Sequence, residues 1–127
     1  MAKQEKKILI IDDEKDICKY EKLFFERWGF EVLTAQTGEA GIKLVKSKKP
    51  DMAIIDIHME EGMDGLLALQ KIRSLRPECK CIMVTWDEEK AKEAKKLGAV
   101  DYIIKPNEIK DIEKAVKKAF ASKGGAK

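Results

Sequence analysis

The sequence predicts an α/β domain built on a doubly wound, five-stranded parallel sheet with helices on both faces. Three observations predict it. Five short apolar runs rich in Ile and Val recur along the chain. Segments of helical periodicity separate them, and crossovers of that length join parallel strands. Polar residues then end four of the five runs, as expected where strands meet a functional edge.

The first run is KILII, 7–11, and a helix is expected over 14–28. In that helix Ile17, Tyr20, Phe24 and Trp28 form an apolar stripe, and Gly29 is a suitable stop. The second run is FEVLTA, 30–35, followed by a helix over 37–48 with Thr37 as cap and Ala40, Leu44 and Val45 inward. The third is DMAII, 51–55, and Leu66, Leu69 and Ile72 mark a helix over 64–75. The fourth is CKCIMVT, 79–85. The helix after it, 87–97, has only Ala91, Ala94 and Leu97 to bury, so it is expected to be loosely held. The fifth is VDYII, 100–104, before a helix over 107–121 with Asn107 as cap and Ile109, Ile112, Val116 and Phe120 inward. Several runs are apolar without alternation, which suits strands covered on both faces.

With 127 residues the chain has room for one domain and one core. The expected division is a tail over 1–6, the domain over 7–121 and a tail over 122–127. Charged residues make up 39% and apolar ones 44%, which fits a globular chain with a charged exterior and excludes a disordered one. No apolar run approaches the roughly 18 to 20 residues of a membrane span, and MAKQEKK before ILII does not make a signal peptide. Cys18, Cys79 and Cys81 are expected to be reduced thiols in a cytoplasmic protein, with Cys79 and Cys81 on opposite faces of their strand. The net charge is +3, and the positive surplus falls in residues 88–127. There Glu and Lys alternate without aromatic or Arg clusters, which fits solvated helix faces and not a nucleic-acid surface.

The strand ends carry the chemistry. KILII runs into Asp12 and Asp13, AIID ends on Asp56, IMVT on Thr85 and YIIK on Lys105, which precedes Pro106. Three carboxylates brought together repel unless a cation lies among them. A hard divalent ion such as Mg²⁺ suits such a set. A lysine and a hydroxyl beside it complete a pocket for phosphoryl oxygens, suited to forming an aspartyl-phosphate.

With ILIIDDE, AIIDIHM, GMDG, MVT and LGAVDYIIKP in place, the sequence resembles the response-regulator receiver domains of two-component signalling, over about residues 7–121. The resemblance implies a flavodoxin-like sheet of order 2-1-3-4-5. It implies that Asp56 is the phosphoacceptor, that Asp13 ligates Mg²⁺ with Asp56 and the backbone carbonyl of His58, and that Asp12 acts on the metal indirectly. It implies that Thr85 and Lys105 bind phosphoryl oxygens, that Tyr102 changes rotamer when Thr85 moves, and that Pro106 shapes its loop through a cis bond. The donor it implies is a histidine kinase or phosphotransfer protein, and the output is binding of a downstream protein through the face 87–121. Such a switch supports its own phosphorylation and dephosphorylation with Mg²⁺ but is not otherwise an enzyme. A monomer or weak homodimer is expected, without nucleic acid or membrane as partner. The chain ends soon after its last helix, so it is expected either to stand alone or to be a receiver cut from a longer protein.

The sequence also departs from the family pattern. Glu60 stands where Pro is usual, and one residue more precedes Met63. Trp86 replaces a small residue after Thr85 and is expected to lie outward over the next helix. His58 and Asp87 flank the expected path of water to the phosphoryl group and are candidates for tuning its lifetime. Trp86 and the 59–63 loop also motivate an alternative, a receiver-like interaction module that is not phosphorylated. A haloacid dehalogenase-like phosphohydrolase is disfavoured because His58 stands where a second Asp is needed, and a nucleotide binder because no Gly-rich loop follows the first strand.

Overall fold

The computed structural model describes residues 6–59 and 62–121. Five strands and five helices alternate: β1 (Lys7–Ile11), α1 (Lys15–Arg27), β2 (Glu31–Ala35), α2 (Gly38–Lys48), β3 (Met52–Asp56), α3 (Gly65–Leu75), β4 (Lys80–Thr85), α4 (Glu88–Lys96), β5 (Asp101–Ile104) and α5 (Ile109–Ala121). All strand pairs are parallel, in the order β2-β1-β3-β4-β5. The expected doubly wound sheet and its order are therefore present. Glu60, Glu61 and the tail residues 1–5 and 122–127 lie outside the described residues.

The sheet separates two apolar layers. One face carries Leu9, Ile11, Ile55, Met83 and the inward residues of α2, α3 and α4, among them Val45, Leu69 and Ala94. The other carries Ile8, Ile10, Ile54, Ile82 and the inward residues of α1 and α5, among them Phe25, Ile112 and Val116. Alternate residues of each strand go to opposite layers, so the central strands are apolar throughout. The same rule overturns the expectation for Cys79 and Cys81. Residues two apart share a face, and both cysteines are buried in the α2–α3–α4 layer.

The helix ends are set by local chemistry. Thr37 caps α2 by accepting from the Ala40 N–H at 3.1 Å, as expected. Asp64 and Asp87 cap α3 and α4 in the same manner. Gly29, at φ +95°, follows α1 in the left-handed region that glycine favours. Asn107 does not cap α5. Its amide donates to the Glu108 carbonyl, while the Asp111 carboxylate reaches back to accept from the Glu108 N–H at 2.8 Å.

The expected stripe on α1 is also displaced. The helix buries Cys18, Glu21 and Phe25, whereas Tyr20 and Trp28 are 56% and 37% exposed. Trp28 instead joins an edge cluster with Phe24, Phe25 and Phe30, and Lys117 Nζ lies 5.1 Å from its ring centre. The weak apolar face of α4 is as expected, with only Ala91 and Ala94 buried.

Gly65 opens α3 against the end of β3. A Cβ there would lie 2.5 Å from both the Asp56 carbonyl oxygen and the Ile57 Cα. Backbone cannot yield as a side chain can, so Gly65→Ala is expected to destabilise the domain by about 1–3 kcal/mol. Chemical denaturation would check this, with Gly41→Ala, whose nearest neighbour is the movable Ile11 side chain, as the milder comparison.

Candidate functional site

The parallel sheet brings the carboxyl ends of β1, β3, β4 and β5 to one edge. Asp12 and Asp13 follow β1, Asp56 ends β3, Thr85 ends β4 and Lys105 follows β5. The expected constellation is thus assembled from four strands. Carboxylate oxygens of Asp12, Asp13 and Asp56 lie within 4.8 Å of one another, close enough to share one cation. Their donor chemistry, three hard oxygens, fits Mg²⁺.

Each group is held. Asp12 Oδ1 accepts from the Glu14 N–H at 2.9 Å. Asp56 Oδ1 accepts from the His58 N–H at 3.2 Å, and Lys105 Nζ donates to Asp56 Oδ2 at 3.4 Å. Thr85 is fully buried, and its Oγ1 accepts from the Asp87 N–H at 3.0 Å. The Lys105 N–H donates to the Thr85 carbonyl at 2.8 Å, tying the last two strand ends together. The Lys105–Pro106 bond is cis. Tyr102 is half-buried against the α2–α3–α4 layer and does not line the acidic cavity.

That cavity has a volume of about 590 Å³. Asp13, Asp56, His58, Trp86, Lys90 and Lys105 are on its wall. Trp86 is 63% exposed and lines the cavity together with Lys90 of α4. Asp87 is absent from the wall, and its carboxylate accepts from the Glu89 and Lys90 N–H groups as the α4 cap. Met63, just before α3, is tied to α2, where Glu39 Oε2 accepts from the Met63 N–H at 3.2 Å.

Burial sets the electrostatics. It pushes the Asp12 carboxyl up to about 6, with the Asp56 charge adding to the rise and the Glu14 N–H and Lys105 opposing it. Burial likewise raises Asp56 above the usual carboxylate range against the pull of Lys105 and the His58 N–H. A fourth acid was missed in the sequence. Glu21 is 8% exposed, and burial first, then the Asp12 charge, lifts it from 4.5 to about 7. Its signal was its place between Cys18 and Phe25 on one helical face, which the aromatic residues on the neighbouring faces obscured. Lys90 was missed too. It lies in the first turn of α4 and lines the cavity.

A doubly wound sheet with an acidic trio, a hydroxyl and a lysine at one edge defines the class: an α/β domain with a polar site at the carboxyl ends of its strands. Comparison with known proteins gives the family. Residues 8–117 match the response regulator receiver domain, and the chain belongs to that family. It is 37% identical over 122 residues to a probable C4-dicarboxylate response regulator, DctR, of Bacillus subtilis, covering 93% of this chain and 54% of that protein. It is 33% identical over 116 residues to the transcriptional regulatory protein ZraR of Escherichia coli K12, covering 90% of this chain and 26% of that protein. The chain thus spans about a quarter to a half of these curated relatives. Among solved structures it resembles a CheY-like receiver domain protein of Methanospirillum hungatei, with TM-score 0.88, 32% identity and 94% and 96% of the two chains covered. It also resembles the response regulator TrrA of Thermotoga maritima in complex with Mg²⁺ and BeF, with TM-score 0.79, 31% identity and 89% and 97% covered. No helix among the described residues is long and apolar enough to cross a membrane.

The Glu21 shift has a definite sign. The folded protein holds that proton more tightly than the unfolded chain. Stability is therefore full below about pH 4.5, falls as pH rises to about 7, and then levels off. The interval corresponds to about 3 kcal/mol. In metal-free protein, Glu21→Gln and wild type are expected to melt together near pH 4.5. The variant should melt several degrees higher at pH 7.5. Calorimetry at the two pH values measures the gap.

Proposed function

We propose that this receiver is a phosphorylation-controlled switch that takes a phosphoryl group onto Asp56 from a histidine kinase or phosphotransfer protein. The observation that carries the reading is the buried Asp56 carboxylate lying within reach of Asp12, Asp13 and Lys105 at the wall of an open cavity. In the transfer, an Asp56 oxygen bonds to phosphorus as the P–N bond of the donor phosphohistidine breaks. The electron pair returns to the imidazole, which takes up a proton. The state ends when water attacks phosphorus, the bond to Asp56 breaks and orthophosphate leaves.

Asp13, Asp56 and the His58 carbonyl would hold Mg²⁺, with Asp12 acting indirectly. When bound, the ion neutralises charge on the carboxylates and the phosphoryl oxygens. The chain's own groups do the rest. Lys105 supplies a fixed cation, and the Thr85 hydroxyl a hydrogen bond to a phosphoryl oxygen. Turning Thr85 toward that oxygen draws on the hydroxyl that now receives the Asp87 N–H. The start of α4, held by only two buried alanines, is the part this disturbs most easily. Tyr102 turns inward with Thr85, and the face 87–121 repacks for a downstream protein. This is a population shift, so the partner must bind the two states unequally. Cytoplasmic residence and a monomer or weak homodimer fit this role.

His58 lines the cavity and is assigned the tuning of phosphoform lifetime, together with Asp87, which acts through the α4 cap. His58→Ala is expected to change the dephosphorylation rate severalfold, and Asp87→Ala to loosen α4 by ~1 kcal/mol. Radiolabelled phosphoform decay checks the first and hydrogen exchange the second.

The central test is beryllofluoride with Mg²⁺, followed by tryptophan fluorescence from Trp86 and by mass spectrometry after acetyl phosphate. The expected outcome is a saturable, Mg²⁺-dependent signal and a phosphorylated Asp56, both lost in Asp56→Ala. If Asp56 is neither occupied nor modified, the receiver is an interaction module that is not phosphorylated.

A further inference from the structure

A second cavity, of about 120 Å³, lies behind the phosphoacceptor on the α1–α5 side of the sheet. Its polar wall includes Asp12, Glu21, Asp56, Lys105 and Asn107, and the rest is largely apolar. Only Asp56 and Lys105 line both cavities. They form the partition between the open acidic site and this rear space.

Glu21 is 8% exposed and lines this cavity, and among the described residues no buried side-chain oxygen or nitrogen lacks a partner, so its carboxylate oxygens face the cavity space. A carboxylate in a small, largely apolar cavity is poorly solvated and favours a cation on the same wall. Lys105 is the one basic residue on the rear wall. Its contact with Asp56, at 3.4 Å, is longer than the roughly 2.7–2.9 Å of a committed charge-assisted bond. A lysine is a point charge on a flexible stem, able to serve two sites by small rotations.

We propose that Glu21 is a positioning residue for Lys105, a rear counter-charge that competes with Asp56 and an incoming phosphoryl group for the same ammonium. The inference rests on the phosphoacceptor reading and adds a restraint to it. Glu21 holds part of the Lys105 population back from the open site. A phosphoryl group must draw the ammonium forward against that hold. The rear charge also adds to the negative field that attracts a divalent cation in front. Glu21 thus weakens phosphoryl binding and strengthens cation binding. A residue that merely packs α1 against the sheet would not act with opposite signs on the two ligands.

The test compares wild type, Glu21→Gln and Glu21→Leu at about pH 8.5, where Glu21 is ionised, with folding checked by circular dichroism and melting. Mg²⁺ affinity is measured first, then beryllofluoride affinity at saturating Mg²⁺, by calorimetry. Both variants are expected to bind beryllofluoride about 3- to 10-fold more tightly and Mg²⁺ more weakly, the size expected for one charge at partly solvated range. The Lys105 ε-methylene NMR signal, assigned with Lys105→Arg, should shift in Glu21→Gln before any ligand is added. Unchanged beryllofluoride affinity in folded variants overturns the proposal. So does equal weakening of both ligands, which marks a structural role, or an unmoved Lys105 signal. If wild type itself fails to bind beryllofluoride, the phosphoacceptor reading falls and this inference with it. If wild type binds and the variants match it, only the inference falls.

Discussion

The structure turns on the mutual repulsion of carboxylates gathered at one sheet edge. Asp12 and Asp56 are buried beside Asp13, and nearly every local feature limits the cost of that crowding. Backbone N–H groups of Glu14 and His58 point at the acids, and Lys105 leans on Asp56 from the end of β5. What remains is a raised proton affinity at Asp12 and Asp56, set first by burial and then by the neighbouring acids.

From the site, hydrogen bonds of Thr85 lead outward to α4. The Thr85 carbonyl receives the Lys105 N–H, and its hydroxyl receives the Asp87 N–H, so the end of β5, β4 and the N-cap of α4 meet at one threonine. Asp87 then caps α4 with its carboxylate. A helix fastened at its start and buried through two alanines is easier to displace than α3 or α5, which bury branched side chains along their length. The helix next to the acidic cavity on that side is therefore packed more lightly than α3 or α5.

Much of this was legible in the sequence because parallel strands covered on both faces leave a strong trace. Short apolar runs, several of them continuous, located all five strands, and the polar residues ending four of them named Asp12, Asp13, Asp56, Thr85 and Lys105. Helix faces were less legible. On α1, large aromatic residues drew the stripe to Tyr20 and Trp28, whereas the sheet selected Cys18, Glu21 and Phe25. Asn107 looked like a cap, but the local competition at α5 was won by Asp111.

The sequence by itself determined the fold class and the edge residues, because strand periodicity and strand ends are local properties of the chain. Tertiary structure alone decided the partners of those residues. It placed a glutamate from α1 behind Lys105, and it set Trp86 and Lys90 on the rim of the acidic cavity. Both depend on how a helix rotates against a sheet. That rotation is chosen by the sum of packing across the whole layer. No short stretch of sequence carries it.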